Sequence, residues 1–115
     1  MKEYLLLFWN ESGDGQYQIK PEEMEASMEA WQSWIGHIAM QGKLISTKPI
    51  VWDGTMVKQS ETINKPAIVG GQMVTGYMLC KATDKSEVQQ WANSCPISTL
   101  HKGFTEIREI AAFEL

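Results

Sequence analysis

The chain has only two imidazoles, His37 and His101, and near neutral pH these are its natural acid–base groups. His101 stands in the segment H-K-G-F just before a strand candidate, and loops that feed a sheet often line clefts. It is the first candidate catalytic residue; the ordinary alternative is a surface loop side chain. His37 falls in a helical run beside its apolar stripe, a position that reads as solvated. Glu106 and Arg108 are two residues apart in E-I-R-E-I, so a strand puts them on one face. Arg108 is the second candidate catalytic residue, because a guanidinium can fork onto an anionic or polar ligand. Its ordinary alternative is an ion pair with Glu106 or a neighbouring strand. Tyr77 can offer a hydroxyl from a strand, and Trp9, at the end of another, can wall a pocket. Both are candidate ligand-binding residues, and Trp52 is a further wall candidate.

Other chemistries fail on inventory. There is no Cys–His–Cys spacing, no H-x-x-x-H and no carboxylate cluster on one short loop, so no metal site is expected. Gly13, Gly15, Gly70 and Gly71 form neither a phosphate-binding loop nor a dinucleotide fingerprint, and no cofactor is expected. The serines lack a nucleophile-elbow context.

The elements that must position these residues follow from hydrophobic period and punctuation. Glu3–Trp9 is a nearly continuous apolar run, which predicts a central strand. Residues 10–19 read as a loop. Pro21 opens a helix with Glu22 and Glu23 in its first turn, and Gly42 suits its C-terminal cap. Met24, Met28, Trp31, Ile35 and Ile38 form its apolar stripe, with Trp34 beside it. Lys43–Trp52 reads as a second strand, Asp53-Gly54 as a hairpin turn and Thr55–Gln59 as the returning strand. Residues 60–72, with Pro66 and Gly70-Gly71, read as a long loop of the kind that often carries function. Met73–Ala82 is the next strand. Asp84 and Glu87 form a capping box for a helix that Pro96 stops, and Phe104–Ala112 is the last strand. The order is βαββαβ, an α+β class of the ferredoxin-like type, with both helices on one sheet face. The other face is then apolar and open, which predicts a homodimer. Gly103 is expected to let the backbone bend and turn His101 toward the 64–72 loop, with Trp9 and Tyr77 completing the cleft.

The 115 residues suit one domain, with 43% hydrophobic and 21% charged content typical of a globular protein. The net charge of −4, with basic residues scattered, argues against a nucleic-acid surface. No apolar stretch reaches membrane-spanning length. The opening M-K-E-Y-L-L-L-F-W-N is too short in its apolar part for a signal peptide and reads as a strand. Cys80 and Cys95 read as reduced packing residues, which fits a cytoplasmic location.

In their order and spacing, several segments together resemble the YCII-related family, particularly its DGPF-type branch. They are M-K-E-Y-L-L-L-F, P-E-E-M, G-K-L-I, G-Y-M-L, W-A-N-S-C-P and E-I-R-E-I. The resemblance spans nearly the whole chain and implies a dimeric α/β barrel, two ferredoxin-like sheets face to face with a cleft in each subunit. At the branch's signature loop this chain reads N-K-P-A-I-V-G-G-Q-M. Pro66 is retained, Asn64 replaces the aspartate, Lys65 the glycine and Ala67 the phenylalanine. Trp31 stands where several relatives carry a histidine in helix one. The resemblance thus implies ligand-binding positions at Asn64 and Trp31. The expectation is a small-molecule-binding dimer or small enzyme of lyase, isomerase or cofactor-free oxygenase type, with an apolar cleft. The alternative is a non-catalytic dimeric module that binds a metabolite or a protein, which the altered loop favours.

Overall fold

A computed structural model of the chain describes residues 1–12 and 21–113, with no side-chain description for 21–24. The elements are β1 (Lys2–Glu11), α1 (Pro21–Ala39), β2 (Leu44–Pro49), β3 (Met56–Lys58), β4 (Glu61–Ile63), β5 (Gln72–Ala82), α2 (Lys85–Asn93), α3 (Pro96–Thr99) and β6 (Phe104–Glu109). Gly13 and Gly15 lie outside the described residues.

The first apolar run is the centre of the sheet. β1 pairs antiparallel with β5 on one side and β6 on the other, and β5 pairs with β2, giving the order β2-β5-β1-β6. This α+β arrangement is compatible with a ferredoxin-like fold. Side chains alternate across a strand, so β1 has two distinct faces. Tyr4, Leu6, Phe8 and Asn10 are buried; Leu5, Leu7 and Trp9 are half-buried. The buried set joins Met78 and Cys80 of β5, Trp34 and Ile38 of α1, and Val88 and Trp91 of α2 in one core. Complete burial of a side chain such as Leu6 contributes about 1.5–3 kcal/mol. Both helices therefore cover one face. The molecule is only 20 Å through its thinnest dimension, the depth of one helix layer on one sheet layer.

The helix caps follow the sequence. Asp84 accepts from the Glu87 backbone N–H at 3.1 Å. Glu87 reaches back to the Thr83 N–H, one residue before the cap, and also binds Lys43 of the turn before β2. The hydrogen bond to Lys43 is the largest cause holding the Glu87 carboxyl below its usual range. Gly42 follows α1 with φ +71, a conformation that favours glycine.

Three expectations need correction. The Asp53-Gly54 hairpin does not form. β2 ends at Pro49 and pairs with β5, while β3 pairs with β4 in a separate ribbon that turns at Gln59-Ser60. Gly54 serves packing instead, since a Cβ there would sit 2.9 Å from the Pro66 Cα. The 60–72 stretch is not one long loop. It contains β4, and Gly70 and Gly71, both at positive φ, make a two-residue turn closed by Val69 N–H to Gln72 O (2.8 Å) and Gln72 N–H to Val69 O (3.0 Å). The α1 stripe is rotated from the expected one. Ser27, Trp34 and Ile38 are buried, whereas Met28 is 54% exposed. The Trp34 indole N–H donates to the Trp91 carbonyl at 2.8 Å, and this tie to α2 draws Trp34 into the core.

Cys80 and Cys95 are buried free thiols, and burial pushes both up to about 11 from an ordinary 9.0. The unfolded chain would release these protons near 9, the folded chain only near 11. Stability should therefore hold below pH 9 and fall as pH rises from 9 to 11. Neither thiol should react with a disulfide reagent at pH 8 until denaturant is added. Rapid native labelling of both would contradict this.

Candidate functional site

A cleft of about 380 Å³ opens between α1 and the helix-covered face of the sheet, within the size range of small-molecule sites. Its α1 wall is Ser27, Met28, Trp31, Gln32 and Ile35, residues at helical spacing. The opposite wall is Thr47 to Ile50 at the end of β2, continued by Trp52. The floor comes from Phe8 and Asn10 of β1 with Thr75 and Gly76 of β5, and Ile97 and His101 close one end.

Local irregularities make this space. The β1–β5 register passes from Phe8↔Gly76 to Trp9↔Val74, so Thr75 is an extra, bulged residue. Bulges re-aim side chains, and Thr75 is on the cleft. Gly76 supplies the close approach: a Cβ there would meet the Phe8 ring and the Lys48 carbonyl oxygen, each at 3.3 Å. The walls are held by aromatic contacts. The Phe8 and Trp31 rings meet edge to face at 5.0 Å, and Trp31 and Trp34 at 5.8 Å.

His101 is brought into this cleft by α3 and the turn after it. Leu100 N–H donates to Pro96 O at 2.9 Å and Gly103 N–H to Ile97 O at 2.7 Å. The positive φ of the turn is at Lys102 (φ 56), not at Gly103. Gly103 is required for space, since a Cβ there would lie 2.1 Å from the Trp9 carbonyl oxygen. The His101 Nε2 lies 2.6 Å from the Ser27 Oγ, an imidazole–hydroxyl pair bridging α1 and the β6 approach. His101 therefore faces Ser27 of α1, and the 64–71 loop contributes nothing to the cleft lining.

Of the other expected site residues, Trp31 and Trp52 line the cleft and four do not. Trp9, Tyr77 and Arg108 lie on the opposite sheet face, because each is paired with or flanks Leu5, Leu7 or Trp9 in register. There the Trp9 indole N–H donates to Glu106 Oε1 at 3.0 Å and its ring stacks on Phe104 at 5.8 Å. Arg108 lies 3.4 Å from Glu106 and is mostly exposed. The Tyr77 and Ser46 hydroxyls are 2.8 Å apart. Asn64 is exposed just after β4. Trp9 and Tyr77 thus cannot supply the wall and hydroxyl of the His101 cleft. Sequence reasoning missed Ser27. The available signal was a hydroxyl four residues before Trp31 and seven before Trp34, on the same helical stripe.

Among the described residues lining the cleft, His101 and Lys48 are the ionisable types and there is no carboxylate; Lys48 pairs with Tyr77 in register, so its side chain belongs to the open face and its backbone borders the cleft. No group of three or more His, Cys, Asp or Glu among the described residues could hold a metal ion. No described helix is long and apolar enough to cross a membrane. No family model matches the chain, and no curated protein matches it.

Proposed function

We propose that the chain is a YCII-related protein of the DGPF-type branch, a homodimer that binds a small molecule in the cleft between α1 and the sheet. The observation that carries this reading is the cleft itself. It is largely apolar and walled by Phe8, Trp31, Ile35, Ile50 and Trp52, with the Ser27–His101 pair at one end. Apolar walls with a few placed polar groups are the usual composition of a ligand site. The dimer reading is supported by the open sheet face, where Leu5, Leu7, Leu79, Tyr77, Val74 and Trp9 share a surface that no described helix covers. Two such faces packed together would form the α/β barrel that the family resemblance implies. A small enzyme of lyase, isomerase or cofactor-free oxygenase type is the second reading, favoured by an imidazole inside the cleft.

Soaking crystals in a mixture of small aromatic fragments tests the site. Fragment density is expected against Trp31 and Ile35, within reach of Ser27. Fragments found on the open sheet face, with none in the cleft, would contradict the reading.

A further inference from the structure

Asn10, on the floor of the cleft, holds a donor group that the fold leaves unused. It is 5% exposed, lies on the inward side of β1 with Tyr4, Leu6 and Phe8, and lines the cleft. Its carboxamide orientation is fixed by its neighbour. The Glu11 backbone N–H can only donate, and it donates to Asn10 Oδ1 at 2.8 Å, so the NH2 group is turned away from it. Among the described residues, that NH2 group makes no hydrogen bond. Nor is it sealed in: among the described residues, the buried side-chain polar atoms without a partner are Gln72 Oε1 and Thr105 Oγ1. A donor that is neither partnered nor sealed, on a residue this buried, has the cleft as its outlet. The neighbouring threonines differ. Thr47 Oγ1 donates to the Tyr77 carbonyl at 2.8 Å and Thr75 Oγ1 to the Phe8 carbonyl at 3.4 Å, so both hydroxyl protons are committed to backbone.

We propose that Asn10 is the specificity-determining donor of the cleft, and that the ligand is a small aromatic carbonyl compound, its ring against Phe8 and Trp31 and its carbonyl oxygen on the Asn10 NH2 group. The proposal rests on reading the cleft as a ligand site and adds the chemical class of the ligand. The walls account for the ring, since aromatic side chains stack on or edge against planar groups, as Phe8 and Trp31 already do with each other at 5.0 Å. The strand accounts for the distance. Phe8 and Asn10 are two residues apart on the same face of β1, which sets them about 6.5–7 Å apart. An aromatic ring, its carbonyl group and one hydrogen bond of about 2.9 Å fill that span. The carboxamide accounts for the acceptor. A ligand with no acceptor there strips water from a buried donor and returns nothing, whereas a carbonyl oxygen replaces the lost bond.

Equilibrium dialysis with 2-acetylnaphthalene and 2-isopropenylnaphthalene tests this, since the second has the same shape with a CH2 group in place of the oxygen. The two should be compared on the parent protein and on Asn10→Leu, whose side chain keeps the branched shape and has no donor. The ketone should bind Asn10→Leu at least about fivefold more weakly than the parent, the lower end of the cost of stranding a buried acceptor. The alkene should bind Asn10→Leu at least as tightly as the parent. A ketone-to-alkene ratio that is the same in both proteins overturns the role given to Asn10 and leaves the cleft reading standing. Binding of neither compound to the parent overturns both. NMR of the parent decides the matter should Asn10→Leu fail to fold. The Asn10 side-chain NH2 proton resonances should move downfield with bound ketone and not with bound alkene, and NH2 resonances that ignore bound ketone overturn the proposal.

Discussion

Gly103→Ala is expected to lower stability by about 3 kcal/mol, the upper part of the range for overpacking a tight site. The added Cβ would lie 2.1 Å from the Trp9 carbonyl oxygen, 2.9 Å from Ile97 Cγ1 and 3.1 Å from the Ile97 carbonyl oxygen. Two of the three are backbone atoms, which cannot rotate away as a side-chain tip would. Relief requires β6 to move off β1 where Trp9 pairs with Phe104, or the bond from Gly103 N–H to Ile97 O to break. Either movement shifts the turn that holds His101 against Ser27. Urea unfolding should show a lower midpoint at unchanged slope. A loss under about 0.5 kcal/mol, as for an ordinary surface change, would show that the turn is not pinned as described.

Leu7→Arg is expected to convert the protein from dimer to monomer. Sedimentation of the parent at micromolar concentration should give twice the 13.0 kDa chain mass, and the variant should give 13.0 kDa. Leu7 lies in the middle strand of the open face, between Tyr77 on β5 and Glu106 on β6. In a monomer the new guanidinium would reach water and can pair with Glu106, so folding should survive. Across a two-fold interface it would be buried without a matching charge, a cost of about 3–5 kcal/mol when a buried charge lacks its partner. A Leu7→Arg protein that still sediments as a dimer would place the interface elsewhere. A parent that sediments as a monomer would remove the barrel from the account.

These contrasts show where the sequence was legible. β1, α1, β5 and α2 were readable because each carries a long apolar period bounded by a cap, a proline or a glycine; β1, β5 and α2 bury residues that set that period, whereas α1 buries a rotated stripe. The hairpin at Asp53-Gly54 was not, because a local turn signal competes with a long-range pairing. β2 is held by β5, about thirty residues onward, and local spacing carries no trace of that. Facing was the second limit. In L-L-L-F-W every residue is apolar, so the run does not say which parity meets the helices. Phe8 falls inside and Trp9 outside, and the bulge at Thr75 resets the parity of β5 beneath them. The position of His101 in a loop feeding the sheet was visible from its neighbours. Its partner Ser27 was hidden because a hydroxyl on an apolar stripe looks the same whether it packs or binds.

We propose that the two sheet faces divide the labour, ligand on the helix side and a second copy on the open side. The tryptophans report on it separately. Trp31 and Trp52 line the cleft, Trp34 and Trp91 lie in the core, and Trp9 lies on the open face. Fluorine NMR of protein labelled with 5-fluorotryptophan resolves all of them in one spectrum. Titration with a small aromatic fragment seen in the cleft should move the Trp31 and Trp52 resonances and leave Trp9 in place, whereas dilution through the dimer equilibrium should move Trp9 and leave Trp31 and Trp52 in place. A titration that moves Trp9 while Trp31 and Trp52 stay fixed would contradict the account.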